Sequence, residues 1–277
     1  MKGQDIKRRI QGARETVKIT KAMQLIATAK INKLQNKYYS SLALLDEMKE
    51  TLDNIGYCES PLTHKKEEKN VALIVVSGDK GLCGDYNHIV CNKAIDFIEK
   101  VLPKKIYVIG QYGRNYIERK GYKVDNSFVF MMQEPFVEDA KSVANLLVKD
   151  FLLGETDKVY IIYTAVSAKD GASNSTCDLR QLLPVEMRIK EYTEKQFLVN
   201  KKHIDGILKQ YIWARIYYAL NSASLAVNYK RMIAMQRATN NGEDLCEELQ
   251  KQFNHLRQES ITNELLDAEI NKRGRQL

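Results

Sequence analysis

Two long stretches of this chain carry apolar residues at alternating steps of three and four, and short continuous apolar runs lie between them. In the first stretch Ile6, Ile10, Ala13, Val17, Ala27, Ile31, Leu34 and Tyr38 fall on one heptad seam, with Thr20 and Gln24 as polar interruptions. Beside it runs a second band, Ala22, Met23, Ile26 and Ala29, wider than a simple two-helix coil needs. This spacing predicts a helix from Gln4 to Gly56. In the last stretch Ile212, Ile216, Ala219, Ala223 and Ala226 make the seam of a left-handed supercoil, whose alanines let a partner helix come close. Leu245, Leu249, Phe253 and Leu256 extend it as a second row. No proline occurs after Pro184, so a helix over 207–266 is predicted, roughly 90 Å long at 1.5 Å per residue. Such a helix needs partners outside its own globule.

Between the long stretches the grammar changes. After a polar linker from Gly56 to Asn70, the runs Val71–Ser77, Ile106–Gly110, Val124–Met131 and Val159–Val166 read as strands covered on both faces. A last strand is expected over Ser175–Val185. Helical patterns lie between them at His88–Val101, Gly113–Lys120 and Val137–Leu153. Alternation of this kind makes a mostly parallel sheet flanked by helices, a Rossmann-like α/β insert. The expected division is a helical segment over 1–56, a globular insert over 70–190 and a helical segment over 200–277. The fold class is α/β. Trp213, beside Tyr211, Tyr217 and Tyr218, is expected to pack the last helix against the insert.

Composition narrows the chemistry. All four prolines lie in the middle of the chain, which leaves both terminal thirds free of the commonest helix breaker. No run of eighteen apolar residues is present, so no membrane-spanning segment is predicted, and the start lacks the apolar core of a secretion signal. A cytosol-facing protein of bacterial style follows. Five cysteines without a C-x-x-C spacing and four scattered histidines predict neither a disulfide framework nor a metal site. The net charge of +8 is concentrated: residues 1–37 hold ten Lys/Arg against Asp5 and Glu15. Such a helix suits nucleic acid, anionic lipid or an acidic protein surface. Nucleic acid fits least, because residues 1–37 contain no aromatic side chain to stack on bases.

One motif invites an enzymatic reading. Ser77-Gly-Asp-Lys-Gly-Leu-Cys-Gly84 follows the first predicted strand, where phosphate-cradling loops sit. Its G-x-x-G-x-x-G spacing matches neither the dinucleotide fingerprint nor the P-loop, and a tight strand–helix turn is the expected role. No nucleophile elbow or H-E-x-x-H occurs. No catalytic site, cofactor or metal is expected.

Three groups of residues bear a family likeness, and they lie in matching order. Gly3 to Met23, ending in Ile19-Thr20-Lys21-Ala22-Met23, with Ala27-Thr28-Ala29-Lys30 after it, resembles the amino-terminal signature of the gamma subunit of F-type ATP synthases. The turn at 77–84 with Asn87 resembles that family's S-D-x-G-L-C-G-x-x-N. The run from Arg231 through Asn241, followed by Arg257-Gln-Glu-Ser-Ile-Thr-Asn-Glu264, resembles its carboxyl-terminal signature. The resemblance implies a central rotor stalk: an antiparallel coiled coil of the two terminal helices entering a hexamer of three alpha and three beta subunits. The insert would sit near the epsilon subunit and the membrane-embedded c-ring. Catalysis would belong to alpha and beta, and this chain would be peripheral to the membrane, without nucleic acid. Carried over from the family, Met23, Arg231, Arg257, Gln258, Thr262 and Glu264 would meet or stabilise the hexamer, with Arg257 and Gln258 bonding to a beta-subunit loop rich in carboxylates.

The chain also departs from the family pattern. Gly78 is an extra residue in the turn, Asp85 replaces a small residue, and Ala226-Val227 stand where the family has Ser-Glu. The end, from Glu269 to Leu277, is basic and polar rather than small and apolar. Without the signatures, the same helices would equally fit an adaptor whose coil binds an unrelated partner.

Overall fold

The structure is a computed structural model and describes residues 3–55, 59–64, 69–128, 132, 134–166, 175–187 and 201–274. Five helices and four strands follow one another among these residues: α1 (Gly3–Ile55), β1 (Val71–Val76), α2 (Tyr86–Val101), β2 (Lys105–Ile109), α3 (Gln111–Arg119), α4 (Val137–Leu152), β3 (Lys158–Val166), β4 (Ser175–Leu183) and α5 (Lys201–Gly274). Two compact units emerge: Met1–Ile26 with Met232–Leu277, and Ala27–Arg231.

In the larger unit the strand order is β2-β1-β3-β4. β1 pairs in parallel with both β2 and β3, whereas β4 runs antiparallel along the free side of β3. Every residue of β1 is buried, as a central strand covered on both faces requires. Helix α4 lays Ala140, Val143, Leu147 and Phe151 into the core, and the Asp139 carboxylate accepts the Phe136 N–H at 3.0 Å to secure its start. The seam residues of α5, Ile212, Ile216, Ala219, Ala223 and Ala226, are all at most 1% exposed, so this part of α5 is core rather than a free helix. Trp213 packs on the same core and lies 5.4 Å beneath the Lys141 ammonium. On the α1 side Ala27, Ile31, Leu34 and Tyr38 are buried, and the Tyr38 hydroxyl donates to the Val166 carbonyl at 3.0 Å.

The smaller unit is an antiparallel pair of helical segments. Ile6 and Ile10 close on Leu249, with Phe253 and Leu256 alongside. Thr20, one of the polar seam positions, is buried and shares a 2.8 Å hydrogen bond with Thr239. Gly242 admits the opposite helix, since a Cβ there would stand 2.6 Å from Val17 Cγ2. The second band is covered only in part: Met23 is half-buried, whereas Ala22, Ala29 and Ile26, the last at 57%, are exposed.

Two expectations need correction. Within the expected strand Val124–Met131, the described residues 124–128 form no strand. Only Asp125 bridges to Tyr107, and residues 129–131 lie outside the described residues. The Asp125 carboxylate turns the chain by accepting the Ser127 N–H at 2.8 Å, and the Arg114 guanidinium takes the carbonyls of Asp125 and Phe128. The linker between Gly56 and Asn70 is not merely polar. Leu62 is 1% exposed, its carbonyl accepts the Val185 N–H, and the Ser60 hydroxyl donates to Asp205.

Burial also sets an alkaline limit. It pushes the Cys91 thiol from 9.0 to about 12, the Cys177 thiol to about 11, and the Tyr163 phenol to about 12. The unfolded chain releases these protons at lower pH than the folded chain, so stability falls as pH rises from 9.0 toward 12. Urea midpoints should therefore hold level from about pH 7 to about pH 8.5 and decline above it, and Cys91→Ala should soften that decline. A decline equally steep in the variant would remove Cys91 from the account.

Candidate functional site

The turn after β1 is built from the backbone inward. Ser77 is fully buried, receives the Gly113 N–H on its Oγ at 3.0 Å, and donates its own amide to the Ile109 carbonyl at 2.8 Å. The Gly78 N–H donates to Asn87 Oδ1 at 3.0 Å, and Asn87 Nδ2 donates back to the Lys80 carbonyl and reaches the Cys83 sulfur. Asp79 accepts the Gln111 N–H, and the Tyr112 N–H goes to the Gly78 carbonyl. The amides of Ser77 and Gly78, at the start of the loop, donate within the chain. The turn is thus a junction between β1, α2 and α3 with Asn87 at its centre, and only Asp79 Oδ2 among its buried side-chain oxygens lacks a partner among the described residues.

That junction rests against α5. The Tyr86 hydroxyl donates to the Ala223 carbonyl at 3.2 Å, and a Cβ added to Gly78 would lie 3.3 Å from Val227 Cγ2. Val227 is 5% exposed, so an apolar residue fits this position better than an unpaired carboxylate would. Asp85 meets Lys230 at 3.5 Å, a mostly exposed pair that orients more than it stabilises. Arg231 donates to Asn228 Oδ1 at 3.1 Å, and its charge opposes the burial that pushes the Cys83 thiol upward. Two of the sequence signatures, the turn and the start of the Arg231 run, therefore meet in one place. The pairing of Asp85 with Lys230 escaped sequence reading, although Asp85 had already stood out as unusual.

The other expected site residues belong to the smaller unit. Met23 is half-buried on α1. Arg257, Gln258, Thr262 and Glu264 are all exposed on α5. At about 100° per residue, Arg257 and Glu264 share one face, and Gln258 and Thr262 lie on the neighbouring one. The Thr262 hydroxyl donates to the Gln258 carbonyl, and Ser260 donates to Glu264 at 3.4 Å. The side chains of Arg257 and Gln258 bond to nothing among the described residues. Arg231 lies in the larger unit, apart from this group in the chain's division. Among the described residues no three His, Cys, Asp or Glu side chains gather as metal ligands, and no helix is long and apolar enough to cross a membrane.

The family model described as ATP synthase matches residues 2–269. The ATP synthase gamma chain of Caldanaerobacter subterraneus subsp. tengcongensis is 32% identical, with 95% of this chain and 96% of the relative covered. That of Aquifex aeolicus is 34% identical, with 95% and 94% covered. The chain belongs to the ATP synthase gamma-chain family. Solved structures repeat the fold at lower identity. A chain of the Euglena gracilis mitochondrial ATP synthase, in a complex of OSCP, F1 and c-ring, superposes with a TM-score of 0.66 at 14% identity over 96% of this chain and 91% of its own. One from the central stalk and c-ring of the Tetrahymena thermophila mitochondrial ATP synthase gives 0.59 at 20% identity, with 79% and 99% covered. Membership in the gamma-chain family rests on nearly the whole length of the chain, both helical ends included.

Proposed function

We propose that the chain is the central stalk subunit of an F-type ATP synthase and couples rotation of the membrane c-ring, driven by ion flow, to ATP synthesis or hydrolysis at the alpha/beta hexamer. The observation that carries this reading is likeness to gamma chains along 95% of the sequence. In this reading the chain is a non-catalytic part of an enzyme complex. α1 and α5 act as an antiparallel coiled coil, and residues 70–190 act as a Rossmann-like insert between helical segments 1–56 and 200–277. The antiparallel contacts of Ile6 and Ile10 with Leu249, and of Thr20 with Thr239, support the coil. Parallel pairing of β1 with β2 and β3 supports the insert. Its partners are three alpha and three beta subunits, the epsilon subunit and the c-ring, at the cytoplasmic face of a bacterial membrane. Met23, Arg231, Arg257, Gln258, Thr262 and Glu264 are assigned to contact with the hexamer, and the bare side chains of Arg257 and Gln258 favour that assignment because each has its hydrogen-bonding groups free for a partner.

Affinity isolation of the tagged chain from its own membranes, followed by native mass spectrometry, tests the reading. One copy with three alpha and three beta subunits and ATPase activity is the expected result. A complex without alpha and beta would move the adaptor reading to the front.

A further inference from the structure

We propose that the cleft between β3, β4, α1 and α5 in the larger unit binds a small organic monoanion, with its charged group on Arg215 and its body against Tyr163 and Tyr218. The cleft measures about 540 Å³, a volume typical of small-molecule sites. Its cations are unevenly satisfied. Arg180 is held by Asp178 at 2.8 Å, and Lys49 by Asp46 at 3.1 Å, so both cations are already balanced. Arg215 is not. Its Nη1 donates to the Tyr211 hydroxyl at 2.6 Å and its guanidinium lies 5.8 Å from that ring, but it makes no ion pair among the described residues. A guanidinium fixed on a tyrosine with most of its fork unused is pre-organised for a carboxylate or a phosphate.

The rest of the lining selects the ligand. With Asp178 taken up by Arg180 and Glu186 on the same lining, a polyphosphate would bring several charges to a cleft whose one unpaired cation among the described residues is Arg215, whereas a single carboxylate is matched by it. Leu42, Leu45, Tyr163 and Tyr218 offer an apolar and aromatic wall, with the two tyrosine rings 6.2 Å apart in an edge-to-face arrangement. That wall suits an organic body more than a bare inorganic ion. The ligand is a carboxylate with an apolar or aromatic body. The site is independent of the stalk function, and nothing about rotation is needed to detect it.

Saturation-transfer NMR and calorimetry on the full-length chain test this, with phenylacetate as the probe and phenyl phosphate, inorganic phosphate and ATP as comparisons. Saturable binding of phenylacetate is expected, ahead of phenyl phosphate, which is largely a dianion near about pH 7. Arg215→Gln should weaken it about tenfold or more, and Arg215→Lys less, because one charge remains without the fork. Leu42→Trp should block binding by filling the cleft, and its melting temperature separates this from misfolding. The proposal is overturned by absence of saturable binding up to about 10 mM, by Arg215→Gln binding as tightly as the natural chain, or by ATP displacing the probe.

Discussion

Gly110→Val is expected to be the most damaging single substitution in the larger unit, at about 3–5 kcal/mol. Two effects act together. Gly110 holds φ at +101°, a region that side-chain-bearing residues rarely enter, at a cost of order 1–3 kcal/mol. A Cβ there would also stand 2.2 Å from the Ser77 carbonyl oxygen, which is backbone and cannot swing aside. Ser77 is tied on its other side by the Gly113 N–H, so relief of the clash would pull β1 from α3. Urea unfolding of the isolated chain measures this directly. Gly84→Ala is the comparison, since Gly84 has a positive φ of 61° but open space around it, and should cost only about 1–2 kcal/mol. Equal losses for the two would show that conformation alone, and not contact with Ser77, decides the matter.

The order of elements was legible because periodicity is a property of burial. α1 and α5 read clearly from their seams: Ile212, Ile216, Ala219, Ala223 and Ala226 of α5 are all buried, whereas in the second row only Leu249 is, and Leu245 is 42% exposed. Val124–Met131 misled for the opposite reason. Its apolar ends resemble a strand, but Asp125, Asn126 and Ser127 turn the chain locally, and the Arg114 guanidinium that claims its carbonyls comes from a different element. Leu62 was hidden likewise, as a lone apolar residue in a polar stretch whose burial depends on Val185 far along the sequence. The turn at Ser77 was legible as a turn from its glycines, whereas its filling by Asn87 and its contact with α5 were not. The six expected contact residues lie further out of reach of physical reading. Arg257 and Gln258 leave no mark on this fold, because nothing in it bonds to their side chains. Resemblance alone brought them forward.

That lack of internal contact makes Arg257→Ala the sharpest test of the stalk reading. In the isolated chain the substitution should change stability by no more than about 0.5 kcal/mol, because an exposed arginine without a partner gives up almost nothing. In the assembled complex it should lower ATP turnover by about tenfold or more. Truncating one side of a charge pair closed off by a partner typically costs about 2–5 kcal/mol, much of it from the carboxylate left behind. Arg257→Lys should recover only part of the loss, since an ammonium keeps the charge but cannot grip a carboxylate with two parallel bonds. Glu259→Gln, two residues on and engaged instead with His255 at 3.5 Å, should leave turnover nearly unchanged. Turnover is read as ATPase rate and as ion-driven ATP synthesis in membrane vesicles, with subunit content checked in parallel. A complex of full composition and full rate carrying Arg257→Ala would remove this residue from the contact with the hexamer, and the bond to the beta-subunit loop would then fall to Gln258.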